Sequence, residues 1–291
     1  MDHVLALDVG GTKLAAGVVD DRGELLVRAQ VPTPADDAAA LGAAVKGLLG
    51  EVREAAGVPL VACGVGCGGP MTRGGAAVSP LNIGAWRGYP LRDEVAALTG
   101  LATWVDNDAK ALALGEGWVG AARGATDYLA MVVSTGVGGG LVLDGRLLDG
   151  ADGNAGHIGH VNAVPGGRRC ACGALGCLEA EASGTAIAAR TGRPPREAPE
   201  AERVRTGELV GRVVASAVAL LDVRLAVVAG SVALGYGDVF FHAAQRVLDE
   251  QAAIGFARGA VIRPGGLGDR GPLVGAAAVA RRGLGLDVGV R

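Results

Sequence analysis

His160, Cys170, Cys172 and Cys177 stand in the spacing His-x9-Cys-x-Cys-x4-Cys, inside the glycine-rich stretch GNAGHIGHVNAVPGGRRCACGALGCLEAEASG that runs from Gly153 to Gly184. Such a composition cannot build a core and gains order from a metal. Thiolates and imidazole suit the tetrahedral, borderline-soft coordination of zinc, and three Cys with one His leave no open position for a catalytic water. The expectation is a structural Zn2+ that holds the other polar residues of the stretch in place, His157 before the first ligand and Glu179 after the last. The competing readings are a disulfide with one thiol left over, or inert buried thiols. Five cysteines in the whole chain and no secretory signal argue against the disulfide.

Two glycine turns carry a second kind of chemistry. In LALDVGGTKLAAGVVD the turn between two apolar runs holds Asp8, Gly10, Gly11, Thr12 and Lys13. Glycines there let backbone N–H groups converge on an anion, Thr12 adds a hydroxyl, and Asp8 could hold a magnesium ion through water. An ordinary Gly-Gly hairpin is the plainer reading of that turn taken alone. A similar pattern recurs at Ser134-Thr135-Gly136-Val137-Gly138-Gly139-Gly140. Two such hairpins facing each other across a cleft would grip one polyphosphate from both sides. No Gly-x4-Gly-Lys-Ser/Thr occurs, so this is not a P-loop, and no dinucleotide fingerprint joins a strand to a helix.

The elements that must position these turns read as α/β. Val4–Leu7, Leu14–Val19 and Glu24–Val31 form an antiparallel meander, with Thr33 and Pro34 as the cap and first position of a helix reaching about Ala56. A strand from Leu60 to Val65 ends in Gly66-Cys67-Gly68-Gly69-Pro70, in which Cys63 and Cys67 read as small core residues. Asn82 lies in a loop ahead of a helix from Leu91 to Leu98. A strand Ala102–Val105 and a helix Ala109–Val119 put Asn107 and Asp108 at the carboxyl edge of a sheet, where ligands of open α/β sheets bind. Asn and Asp are also common helix caps; a carboxylate there could serve as general base as well. Beyond the zinc segment, Thr191–Arg205 reads as a surface excursion, Gly207–Leu221 as a helix, and Ala226–Val228 as a strand entering Gly230-Ser231, a loop of close backbone approach. Helices at Phe240–Gln251 and Pro272–Arg281 flank a short strand at Val261-Ile262.

Composition narrows the function classes. The chain has 291 residues, half of them apolar, a formal net charge of −3 and no basic stripe, so nucleic acid is a poor partner. Its 51 glycines follow no Gly-x-y period and argue for tight turns and backbone approach to ligands. The most apolar long segment, Val213–Ala229, is interrupted by Asp222 and Arg224. The expectation is a soluble, cytoplasmic protein with neither signal peptide nor membrane span.

Taken in order, LALDVGGTKLAAGVVD, VDNDA, VSTGVGGG, the Gly-His followed by CACGALGCLE, and VVAGSV resemble the ROK family (repressors, open reading frames, sugar kinases) over about residues 4 to 282. The resemblance implies a two-domain actin-like, ribonuclease H-like α/β fold with a zinc-stabilised loop in the larger domain. A small N-terminal domain would span 1–109, with a closing helix at about 278–291 packing back on it. The larger domain would span 110–277 and carry the zinc segment 153–184. It implies an ATP-dependent kinase using Mg2+, with Asp108 as the base that removes the proton of a sugar 6-hydroxyl. Gly69, Asn82, Asn107, His157 and Glu179 would meet the sugar, and His160 would both bind zinc and touch it. Asp8, Gly10 to Lys13 and Thr135, Gly136, Gly138 and Gly139 would hold the phosphates, and Gly230 with Ser231 the adenosine. Family members form homodimers or larger homo-oligomers.

One departure bears on the substrate. Most glucokinases of the family have Glu-x-Gly-His where this chain has His157-Ile158-Gly159-His160. A neutral imidazole cannot offer two oxygens to vicinal hydroxyls. The first expectation is glucokinase-like phosphorylation of an aldohexose; the alternative is N-acetylmannosamine, because His-x-Gly-His with PTPA, NIG and GSV resembles some bacterial kinases of that amino sugar. Two readings of other classes rank lower. A sugar-responsive repressor would need a helix-turn-helix ahead of the first phosphate turn, which already begins at Asp8. A sugar-binding module without catalysis would be expected to lack the base that Asp108 supplies.

Overall fold

The computed structural model describes residues 2–291. Two five-stranded sheets are built by the same sequence of moves. In the first, β1 (His3–Val9), β2 (Lys13–Val19) and β3 (Leu25–Pro32) form an antiparallel meander; α1 (Ala38–Ala56), β4 (Leu60–Cys67), α2 (Leu91–Thr99) and β5 (Thr103–Asn107) then add two strands parallel to β1, giving the order β3-β2-β1-β4-β5. After α3 (Asp108–Val119) the pattern repeats with β6 (Tyr128–Val133), β7 (Val137–Leu143) and β8 (Arg146–Leu147). The zinc segment leads to α4 (Leu178–Ala182) and α5 (Gly184–Thr191), and then to α6 (Glu200–Leu221), β9 (Leu225–Ala229), α7 (Ser231–Tyr236), α8 (Asp238–Gln251), β10 (Val261–Pro264) and α9 (Gly271–Gly283). The second sheet has the order β10-β9-β6-β7-β8.

Period-2 alternation explains the layers. On β1, Leu5, Leu7 and Val9 pack with Leu41, Val45, Leu48 and Val52 of α1, while Val4 and Ala6 pack with Leu273, Ala276, Ala277 and Ala280 of α9. On β6, Leu129, Met131 and Val133 face Val210, Val213 and Val214 of α6, and Tyr128 and Ala130 face Ala111, Ala113 and Leu114 of α3. The two closing helices are therefore exchanged: α3 leaves the first sheet and packs on the second, and α9 does the reverse. They cross at a glycine pair, where a Cβ on Gly275 would lie 2.6 Å from the Ala111 carbonyl oxygen and one on Gly115 would lie 3.1 Å from the Gly275 Cα.

Several elements differ from expectation. α1 starts at Ala38, capped by Asp37, whose carboxylate accepts from the N–H groups of Ala39 and Ala40. Thr33 is not a cap: its hydroxyl donates to the Gly10 carbonyl and its N–H to the Thr12 carbonyl, which tie it to the first turn. α6 starts at Glu200, so only part of Thr191–Arg205 is an excursion; Glu200 and Glu202 sit in its first turn, where the helix dipole favours them. Glu179 lies on a short helix, α4, within the glycine-rich stretch, which carries no helix signal in the sequence. No helix among the described residues is long and apolar enough to cross a membrane.

Candidate active site and metal centre

Parallel pairing brings the first sheet's functional residues to one edge. Asp8 stands opposite Gly66, which stands opposite Asp106, and one row further Val9, Cys67 and Asn107 align. Gly66 leaves room for the carboxylates: a Cβ there would lie 3.6 Å from the Asp108 Cα and 3.7 Å from Asp8 Oδ1. Burial raises both acids. Asp8 is pushed up to about 7 by burial and then by the Asp108 charge, with Lys13 opposing. Asp108 is raised by burial and by the Glu179 charge, against hydrogen bonds from the backbone that favour its ionised form. Cys63 and Cys67 are fully buried and burial pushes both thiols up, Cys63 to about 12, as expected for core residues.

Asn107 is the helix cap and also borders the cleft. Its Oδ1 caps α3, accepting from the N–H of Ala109 at 3.0 Å and of Lys110 at 3.4 Å. Its Nδ2 lies near Gly69, 3.4 Å from where a Cβ would stand, and the His157 ring approaches the same point to 3.1 Å. Gly69, Asn107, Asp108 and His157 thus converge. Burial and the nearby His160 lower the His157 pKa.

The two glycine turns face each other. Thr12 and Thr135 bring their hydroxyl oxygens to 3.4 Å across 123 residues of sequence. Asn82 sits between the turns: a Cβ on Gly11 would lie 2.6 Å from the Asn82 Cβ, and one on Gly136 would lie 4.0 Å from Asn82 Nδ2 and 2.7 Å from Glu179 Oε2. That same Glu179 oxygen accepts from the Val137 N–H at 2.9 Å, which leaves Oε1 for another partner. Gly230, at φ +99°, sits so close to the Val133 carbonyl that no side chain fits, and Ser231 places its hydroxyl 2.9 Å from that of Ser134. Gly138 and Gly139 are not in the turn. They belong to β7, where Gly138 admits Ala109 of α3 and Gly139 admits Ile158; their smallness serves packing.

His160, Cys170, Cys172 and Cys177 bring one ligand atom each to within 4.8 Å of one another. The His160 Nδ1 to Cys170 Sγ and Cys172 Sγ to Cys177 Sγ separations are both 3.7 Å. Sulfurs held about 2.3 Å from one ion at tetrahedral angles lie about 3.8 Å apart, so the donors fit zinc. Cys177 directly precedes α4 and therefore Glu179, and the His160 ring stacks at 5.9 Å from that of His157. A closed metal cluster would fix both residues at the cleft without entering it.

Lys110, two residues past Asp108 on α3, was not foreseen. Its side chain is 2% exposed, and its ammonium donates to Asp149 Oδ1 at 2.6 Å and the Gly153 carbonyl at 3.3 Å, with Asp106 Oδ1 at 3.0 Å. A lysine in the apolar run AKALAL, four residues from an aspartate, was the available signal.

A family model described as ROK family matches residues 4–283. The chain is 40% identical over 252 residues to an N-acetylmannosamine kinase of Citrobacter koseri, covering 80% of this chain and 84% of that protein. Among solved structures it resembles a ROK family glucokinase from Streptomyces griseus in complex with glucose and AMPPNP, at 30% identity and a TM-score of 0.86, over 96% of this chain and 99% of the other. A ROK hexokinase from Thermus thermophilus is similar at 35% identity and a TM-score of 0.79, over 97% and 99%.

Proposed function

The chain belongs to the ROK family and is a sugar kinase of that family, and we propose that its sugar is N-acetylmannosamine, phosphorylated at the 6-hydroxyl with Mg-ATP as donor. The observation that carries this choice is an imidazole, His157, in place of a carboxylate beside Gly69 and Asn107. A neutral imidazole has one donor and one acceptor, which match the C=O and N–H of an acetamido group; a carboxylate there would favour paired hydroxyls. The Citrobacter koseri relative supports the same sugar. Glucose, the first expectation from sequence, becomes the second reading, supported by the Streptomyces griseus glucokinase.

In the proposed reaction the 6-hydroxyl oxygen attacks the γ-phosphorus as its proton passes to Asp108. The O6–P bond forms, the bond from phosphorus to the β–γ bridging oxygen breaks, and ADP leaves. Burial makes Asp108 a stronger base than an exposed aspartate. Asn107 Nδ2, His157 and the free oxygen of Glu179 orient the sugar, while the Thr12 and Thr135 turns align the phosphates. Asp8 would hold Mg2+ through water, and the ion would supply charge neutralisation at the phosphates; two facing buried carboxylates opposed by Lys13 are a donor set that suits a cation. The zinc ligands would act only by positioning. A cytoplasmic location, a homodimer and a division at residues 1–109 and 110–277 belong to the same reading.

ADP release from Mg-ATP across N-acetylmannosamine, N-acetylglucosamine, mannose and glucose tests it. The expected result is the highest kcat/KM for N-acetylmannosamine; a higher value for glucose would favour the second reading.

A further inference from the structure

The segment from Asp149 to His157 touches both halves of the molecule. At one end Lys110 spends its three ammonium hydrogens on Asp149, Gly153 and Asp106, which stands at the end of β5. In the middle, Asn154 grips Met71 at two points, accepting from its N–H at 3.2 Å and donating to its carbonyl at 3.0 Å. Arg73 donates to the carbonyls of Gly150 and Ala151 at 3.0 and 3.1 Å. Met71 lies two residues from Gly69, and Asn154 lies three from His157. The facing pair Gly69 and His157 is thus set by one segment that is tied on both sides.

A buried ammonium is costly to desolvate, and a pair of apolar residues of similar volume would often serve stability as well. What the ion cluster supplies is a fixed position. Asp149, 44% exposed, is held by Lys110 and lies 4.0 Å from the part-exposed Arg282; of these two cations Lys110 is the buried one. Lys110 itself is enclosed and is not available to substrate.

We propose that Lys110 is a positioning residue for sugar selection: through Asp149 and Gly153 it holds the segment 149–157 in the place that lays His157 over Gly69. This rests on the reading that His157 meets the sugar. The test is steady-state kinetics of the full-length, zinc-loaded protein with Lys110→Met, His157→Ala and the double variant. Lys110→Met should raise KM for N-acetylmannosamine about tenfold while kcat changes less, because a misplaced contact weakens binding first; KM for ATP and the zinc content should stay as in the wild type. In the double variant, Lys110→Met should add nothing further to the effect of His157→Ala. If His157→Ala raises KM but Lys110→Met does not, or if the two effects simply add, the positioning role is overturned and the reading of His157 stands. If His157→Ala leaves KM unchanged, both fall. Should Lys110→Met not fold, Asn154→Ala, which releases the other tie, carries the same cycle with the same expected outcomes.

Discussion

At the cleft floor, burial and then the Asp108 charge raise the proton affinity of Asp8, and the consequences are measurable. Asp8 is shifted from 3.8 to about 7. A raised carboxyl contributes stability that is fully present below its unfolded value and is lost as pH rises through the folded one. The ligand-free protein should therefore lose stability between those two values, and Asp8→Asn should remove that loss. The Tm difference between Asp8→Asn and wild type should grow in favour of the variant from about pH 4 to about pH 7 and level off above that; a constant difference would contradict the shift. Asp108→Ala should lower sugar-dependent ADP release by about a thousandfold, with zinc content unchanged by metal analysis. The clustering of His160 with the three cysteines and the place of Asp108 at the sheet edge were legible in the sequence because their signals are local: tight Cys spacing, and a strand-to-helix junction. Lys110 and Asn154 were not, because their partners lie 39 and 83 residues away and each alone reads as a solvated or turn residue.

Among the elements, the strands and most helices followed from hydrophobic periodicity, while helix starts did not. Thr33-Pro34 is a good start signal, but the Thr33 hydrogen bonds go to the first glycine turn, and Asp37 takes over the cap. Asp37→Ala should cost about 1 kcal/mol in urea unfolding, whereas Thr33→Ala should leave α1 intact. The strand β7 begins earlier than the glycine run suggested, since glycine is a weak strand former that is needed here for contact with α3 and Ile158. Cys177, one of the four clustered residues, directly precedes α4. Cys172→Ser should lose zinc and raise KM for the sugar together, because metal binding and local folding are coupled; wild-type sugar affinity in a zinc-free variant would break that link.

For the whole molecule, the crossing of α3 and α9 joins the two sheets. Gly275→Ala sets two effects against each other. Alanine favours the helix by about 1 kcal/mol, but its methyl would meet the Ala111 backbone at 2.6 Å, and backbone cannot step aside as a side chain can. Overpacking wins, and a net loss of about 2 kcal/mol is expected by urea unfolding. The two-sheet fold and its family were readable from five short motifs in fixed order, but the exchange of closing helices was only partly so, since an apolar helix does not announce which sheet it covers. In the proposed reading the choice of sugar rests on one residue, His157, within that geometry of turns and edges. The most direct measurement is therefore a competition: equal N-acetylmannosamine and glucose with limiting Mg-ATP, the two 6-phosphates separated by mass spectrometry, so that the product ratio reports the ratio of kcat/KM. The account predicts an excess of N-acetylmannosamine 6-phosphate, lost in His157→Ala; a predominance of glucose 6-phosphate would contradict it.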